Sequence, residues 1–112
     1  MNYERFQSCI DACIACAIVC EQCATACLKG KNVGEMVRCI ELDRECASVC
    51  RSAAELMSMD GPHAASLCSI CADICEACAS ECAMHEHKHC RECAEECWAC
   101  AEECRKMSEQ QV

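Results

Sequence analysis

The sequence predicts an all-α protein folded as an antiparallel up-down-up-down four-helix bundle. Three observations carry this prediction. Cysteines recur in steps of three and four residues, which is the spacing of one face of a helix. Three short stretches rich in turn-forming residues or histidine divide the chain into four segments of similar length. The sequence also lacks a stretch in which apolar and polar residues alternate with the period of a strand.

The order of the elements follows from those three breaks. They lie near Lys29–Gly34, near Asp60–Pro62 and at His85–His89. Asn32 followed by Glu35 predicts an N-cap with its capping partner for the second helix. Pro62 suits the first position of the third helix, with Asp60 as its cap. Segments of about 20–27 residues span about 30–40 Å as helices, and short connections place successive helices antiparallel.

The cysteines form one stripe in each predicted helix. Leucine normally occupies such a stripe, which is the face that packs against partner helices. In the second segment Asp43 lies in register between Cys39 and Cys46, where the stripe skips a cysteine. The four stripes consist of Cys9, Cys13, Cys16, Cys20, Cys23 and Cys27; Cys39, Cys46 and Cys50; Cys68, Cys71, Cys75, Cys78 and Cys82; and Cys90, Cys93, Cys97, Cys100 and Cys104.

Length, charge and composition limit the functions that the chain can have. The 112 residues suit one domain, residues 1–112, and the net charge of −9 argues against nucleic acid and anionic membranes as partners. Only Tyr3, Phe6 and Trp98 are aromatic, so thiols must fill most of the interior. Since no uncharged apolar run approaches 18 residues, we expect no membrane span.

Cysteine density of this kind is usual in secreted disulfide scaffolds, but two features argue against that interpretation. The first residues show no apolar signal region, and the cysteine count of 19 is odd, so full pairing within one chain is excluded. We therefore expect a reduced, cytoplasmic protein. A disulfide-reinforced structural or redox module remains an alternative.

The spacing within the stripes favours metal ions over disulfides. Eight Cys-x-x-x-Cys pairs occur, and residues four apart on a helix have Cβ atoms about 5–6 Å apart, whereas a disulfide needs about 3.8 Å. Thiolates select Cu(I), zinc or iron–sulfur clusters. Cu(I) is satisfied by two or three thiolates, so a helix-borne pair nearly completes a site. Zinc prefers closed sets of four, and no Cys-Pro cluster motif is present. The cofactor prediction is therefore several Cu(I) ions per chain, with a metallothionein-like zinc or cadmium buffer as the alternative.

Antiparallel order brings the ends of the first and third segments to the starts of the second and fourth. His85 and His89 continue the stripes at this end and are candidate copper ligands or members of a solvated turn; His87 is less well placed. Asp43 is a candidate ligand or hydrogen-bond acceptor, or contacts solvent at a helix end. Met36 is placed to pass copper inward. Apolar residues are expected to close the opposite end: Phe6, Met57, Ala64 and Met107.

Two motifs carry a resemblance to a known family. They are Cys39-Ile40-Glu41-Leu42-Asp43-Arg44-Glu45-Cys46-Ala47-Ser48-Val49-Cys50 and Cys82-x2-His85-x-His87-x-His89-Cys90. Together with the cysteine stripes, these motifs resemble the bacterial copper storage proteins over essentially the whole chain. Because no export signal is seen, the chain resembles the cytosolic branch of that family. The resemblance implies a homotetramer of four-helix bundles that fills its core with Cu(I), held mainly by cysteine pairs, with copper uptake past the histidines.

Catalysis is not expected. A nucleophilic cysteine needs a nearby base and an open cleft, and histidines at one end of the bundle are too far away to activate cysteines along its length. The chain is therefore predicted not to be an enzyme.

Overall fold

The computed structural model describes residues 3–109 and confirms the all-α prediction. A short 3-10 helix, Tyr3–Phe6, leads into the first helix, and a second one, Val33–Met36, precedes the second. Among residues 3–109 there is no strand. The four helices are α1 (Gln7–Lys29), α2 (Val37–Ser58), α3 (Ala64–Cys82) and α4 (Lys88–Glu109).

The helices pack as an antiparallel up-down-up-down bundle, as predicted. Each helix contacts the two that neighbour it around a square, α1 with α2 and α4, and α3 with α2 and α4. Cys9 near the start of α1 contacts Cys104 near the end of α4, and Cys39 at the start of α2 contacts Cys82 at the end of α3. The bundle measures 48 × 18 × 17 Å. The prediction of one domain over residues 1–112 stays a prediction, because residues 1, 2 and 110–112 lie outside the described part.

The core consists mostly of cysteine and alanine, and its few larger apolar side chains lie towards the two ends. Every cysteine is at most 2% exposed. Alanines such as Ala47 and Ala72 flank the stripes and bring the helices close together. The residues expected to close one end are buried there: Phe6, Met57, Ala64 and Met107. The opposite end, where α1 and α3 finish and α2 and α4 begin, is called the mouth below.

Truncating the closed end should cost stability. Met57 is fully buried, so Met57→Ala leaves a cavity, and we expect the free energy of unfolding to fall by about 3 kcal/mol. Urea unfolding of the reduced, copper-free chain under anaerobic conditions measures this. Met59→Ala is the matched control, because Met59 is 62% exposed and its loss should change the free energy by less than about 0.5 kcal/mol. Equal effects of the two substitutions would contradict a packed closed end.

The connections differ from the predicted caps. The Asn32 side chain forms no cap bond, because Val33–Met36 intervenes and α2 starts only at Val37. Asp60 does not cap α3 but ends α2. It has a φ of 49°, and the N–H groups of Asp60 and Gly61 donate to the carbonyls of Met57 and Leu56, which closes the last turn. Helix α3 then begins at Ala64, two residues after Pro62.

One helical stretch, Glu4–Lys29, is long and apolar enough to cross a membrane by length and composition alone. A helix from the core of a bundle passes the same test. Here the six cysteines of α1 contribute to its apolar character, and all six are buried among the other three helices. The cysteine face of α1 is therefore already covered by protein.

Candidate metal centre

The sulfur atoms of the four stripes form a continuous ladder along the bundle axis. Neighbouring Sγ atoms on different helices lie 3.4–3.9 Å apart, as between Cys39 and Cys82 and between Cys50 and Cys100. Sulfurs four residues apart on one helix lie 3.8–4.0 Å apart, as between Cys71 and Cys75. All 19 cysteines fall within the described residues, and all are free thiols. The ladder is thus a set of closely spaced soft ligands.

These sulfurs converge in overlapping sets. Within residues 3–109, nine groups of three or more ligand atoms each have their atoms within 4.8 Å of one another, and at least five of these groups consist of four buried cysteines. Cys16, Cys20, Cys46 and Cys97 each belong to two of these sets, so filling neighbouring sets requires thiolates that bridge metal ions. The five sets are Cys13, Cys71, Cys100 and Cys104; Cys16, Cys46, Cys50 and Cys75; Cys16, Cys20, Cys46 and Cys97; Cys20, Cys78, Cys93 and Cys97; and Cys23, Cys27, Cys39 and Cys90.

Burial keeps two thiols at the mouth protonated, those of Cys27 and Cys90. It raises the pKa of Cys27 to about 11, and it also raises the pKa of Cys90. A thiolate in an apolar interior lacks the water that stabilises its charge, so near pH 7 these groups are neutral thiols. Neutral thiols pack as small apolar groups, so Cys27 and Cys90 contribute to the core of the metal-free bundle. A metal ion that binds them must displace their protons.

Asp43 interrupts the ladder one helical turn, or about 6 Å, below Cys39. Its carboxyl group is fully buried and accepts hydrogen bonds from the thiols of Cys78 at 3.2 Å, Cys93 at 3.3 Å and Cys82 at 3.6 Å. Burial, together with the nearby cysteines, raises the pKa of Asp43 to about 10. The structure therefore places Asp43 as a protonated hydrogen-bond acceptor inside the ladder and not as a solvent contact at the helix end.

The mouth holds a small cavity of about 260 Å³. The Nε2 atom of His89 lies 3.4 Å from Sγ of Cys27, and the ring of His87 stacks on that of His89 with centroids 5.2 Å apart. Met36 is buried and also lines the cavity. The complete lining is Ala26, Cys27, Gly30, Lys31, Asn32, Met36, His87 and His89.

The two histidines singled out in the sequence have different surroundings. His89 lies beside the thiol ladder, with its Nε2 atom next to Cys27. His85 instead contacts Glu81 in the last turn of α3, and its Nε2 atom lies 2.9 Å from the Glu81 carboxylate. His87 lines the cavity although its spacing from the stripe gave no signal, because helix α4 begins at Lys88 and the preceding turn brings the ring over His89.

Comparison with known proteins decides what this ladder belongs to. The sequence model described as copper storage protein matches residues 2–109. The chain belongs to the copper storage protein family. Family members of known structure share both the fold and much of the sequence. The Cu(I)-bound copper storage protein BsCsp3 is 47% identical, with a TM-score of 0.89 over 92% of this chain and 97% of its own.

Two further proteins that are similar to this chain extend the comparison. A cytosolic copper storage protein from Streptomyces lividans, solved with five coppers, is 36% identical, with a TM-score of 0.91 over 96% of this chain and 94% of its own. An uncharacterized cysteine-rich protein of Bacillus subtilis, YhjQ, is 47% identical over 83 residues, which are 74% of this chain and 77% of that protein. The resemblance seen in the sequence motifs is thereby confirmed.

Proposed function

We propose that the protein stores copper by binding many Cu(I) ions inside the bundle. The observation that carries this proposal is the ladder of 19 buried, free thiols, which Asp43 interrupts at one position. Soft thiolates favour Cu(I), and two or three of them satisfy one ion. An ordinary helical core is packed by larger apolar side chains and does not require adjacent sulfurs. A protein that stores many metal ions requires ligands that repeat along the whole length of the bundle.

The proposed ligands are the cysteines of all four stripes. Asp43 and His89 are proposed as additional contacts, because each lies within hydrogen-bonding distance of ladder thiols. His85 is the weaker candidate, because its ring pairs with Glu81. The cysteines are Cys9, Cys13, Cys16, Cys20, Cys23, Cys27, Cys39, Cys46, Cys50, Cys68, Cys71, Cys75, Cys78, Cys82, Cys90, Cys93, Cys97, Cys100 and Cys104.

Uptake proceeds from the mouth inward. The opposite end is sealed by buried apolar side chains, while Cys27 and His89 line a cavity at the mouth. From there the four sulfurs of the mouth set lie within 4.8 Å of one another, and contacts of 3.4–4.0 Å between sulfurs farther along offer the next ligand before the previous one is released. Each ion displaces thiol protons, so the apparent affinity rises with pH.

The alternative is a zinc or cadmium buffer, and the overlap of the thiol sets argues against it. Zinc favours separate tetrahedral sites, whereas here at least four cysteines, Cys16, Cys20, Cys46 and Cys97, belong to more than one set. The test is to load the reduced chain with excess Cu(I) or with excess Zn(II), add a chelator of matched affinity for each, and count the ions retained. Retention of many Cu(I) ions and few zinc ions supports the proposal, and the reverse order would replace it with the zinc buffer.

His89 is expected to matter for the rate of loading and His85 to matter less. The Nε2 atom of His89 lies beside the Cys27 thiol, so His89→Ala removes a contact for the incoming ion, and we expect initial loading to slow by about tenfold. His85→Ala is the matched control, because its partner is Glu81. Stopped-flow absorbance of the Cu(I)–thiolate bands measures both rates. Equal slowing in the two variants would contradict this assignment.

We further propose that the protein works in the cytosol as a homotetramer, without catalysis. The cytosolic setting is supported by the Streptomyces relative, which is described as cytosolic, and by the free state of all 19 cysteines. Ile14 and Ile18 are about half exposed on α1 and provide apolar surface for an interface. Free-thiol titration close to 19 per reduced chain separates the store from a disulfide-reinforced module.

A further inference from the structure

The charges of the bundle are distributed unevenly between the mouth and the rest of the molecule. The mouth, taken as residues 26–40 and 79–91, carries five basic and three acidic side chains, a formal charge of +2 with neutral histidines. The remaining residues carry five basic and 16 acidic side chains, or −11. Glu41 and Glu92 adjoin these segments, so this end of the acidic chain, which holds the opening of the thiol ladder, is close to neutral.

The cations at the mouth are also unpaired within the described residues. The ion pairs of arginine and lysine all lie outside the mouth: Arg51 pairs with Glu21, Arg105 with Asp73 and Glu76, and Lys106 with Glu102 and Glu103. Among residues 3–109 none of the five mouth cations has a carboxylate within 4.0 Å. They are Lys29, Lys31, Arg38, Lys88 and Arg91.

The cavity at the mouth is also lined without carboxylates. Its polar lining consists of Lys31, Asn32, His87 and His89, with the Cys27 thiol, and no carboxylate belongs to it. A site that admitted a bare cation would gain from carboxylates, which attract positive charge and ligate it. A lysine and an amide side chain instead provide donors for an anion. A cavity of about 260 Å³ suits one small molecule.

From these observations we propose that the mouth docks an anionic Cu(I) complex of a small carboxylate-bearing thiol and takes the copper from it by ligand exchange. The proposal rests on the proposed storage function and adds the chemical class of the copper donor. Lys31 and Asn32 hold the carboxylate of the carrier, and this places the carrier's copper beside Cys27. Salt screens charges that are more than about 8–10 Å apart. The acidic side walls of the 48 Å bundle therefore repel a carrier at the mouth only weakly.

The exchange conserves charge and oxidation state. A Cu–S bond forms to Sγ of Cys27 while one Cu–S bond to a carrier thiolate breaks. The proton of the Cys27 thiol passes to the departing thiolate, which leaves as a neutral thiol, and copper stays Cu(I). A second exchange follows with a thiol of the same set, which includes Cys23, Cys39 and Cys90. The ion then has only protein ligands.

The test compares small carriers that differ in charge. Reduced, copper-free chain is mixed anaerobically with Cu(I) complexes of 3-mercaptopropionate, 2-mercaptoethanol or cysteamine, and the Cu(I)–thiolate absorbance is followed by stopped flow. Lys31→Glu should slow loading from the 3-mercaptopropionate complex by about tenfold and Lys31→Gln by about threefold, without slowing loading from the cysteamine complex. Dividing the variant's rate by the wild-type rate for each carrier corrects for differences in intrinsic lability between the three complexes.

Lys106→Glu is the matched control. Lys106 is an exposed lysine near the closed end, so the same charge reversal there should leave all three rates within a factor of about two. If Lys31→Glu changes the three rates equally, or if it behaves as Lys106→Glu does, the proposal is overturned and a protein donor or a cationic complex becomes the better candidate. Storage itself is judged separately, by the number of ions that the wild-type chain takes up from any carrier.

Discussion

Loading the reduced chain with Cu(I) is expected to raise its Tm by more than about 20 °C. Each site filled at a free concentration 1,000 times its Kd stabilises the folded state by about 4 kcal/mol, and about 1 kcal/mol shifts the Tm of a domain of this size by about 4–8 °C. Several sites therefore add up to a large shift. Differential scanning calorimetry under anaerobic conditions, with Cu(I) buffered by a chelator, measures it.

The physical reason for the shift is that folding brings the thiols together. In the bundle, sulfurs from different helices lie 3.4–3.9 Å apart, whereas the unfolded chain offers only those close in sequence. Zinc at the same number of equivalents is the control. If zinc raised the Tm as much as Cu(I), the ladder would not distinguish the two metals and the copper store would be in doubt.

The substitution Asp43→Asn is expected to stabilise the copper-free protein at pH 8 by about 2–5 kcal/mol. The pKa of Asp43 is about 10 in the folded protein and about 3.9 in an unfolded chain. Between these values only the folded state holds the proton, so stability that is present below pH 4 is lost as pH rises towards 10. Asparagine does not titrate, and its amide oxygen still accepts from the thiols of Cys78 and Cys93.

Urea unfolding of both chains at pH 4, 6 and 8 tests this prediction. The free energies of unfolding should agree at pH 4 and separate as pH rises, with the variant the more stable. Asp11→Asn is the control, because Asp11 is exposed on α1 and its substitution should not produce a difference that grows with pH. A difference between wild type and Asp43→Asn that stayed constant from pH 4 to pH 8 would contradict a protonated carboxyl group inside the ladder.

Most of the fold and of the candidate ligand set follow from one pattern in the sequence. Steps of three and four residues place every cysteine on the inner face of a helix, and the structure has all 19 buried. The same periodicity predicts the closed end, since Phe6 and Met57 continue the stripes. Because a regular helix repeats its geometry, a spacing rule is enough to locate side chains along it.

The connections and the mouth were less predictable, because there the chain is not periodic. Asn32 was wrongly expected to cap α2, since a 3-10 turn intervenes, and Asp60 adopts a left-handed φ that more often belongs to glycine. His87 joins the cavity through the turn before α4, and no spacing rule describes a turn of that kind. The environment of Asp43 also required the structure, because its partners come from α3 and α4.

The most direct test of the storage function is anaerobic titration of the reduced chain with Cu(I) in the presence of a competing chromophoric chelator, while circular dichroism follows the helices. We predict that each chain binds more than about ten ions tightly, because bridging thiolates allow more ions than separate cysteine pairs would, and that the helical signal is retained. Saturation at one or two ions per chain would contradict storage and leave the cysteines as packing for the core.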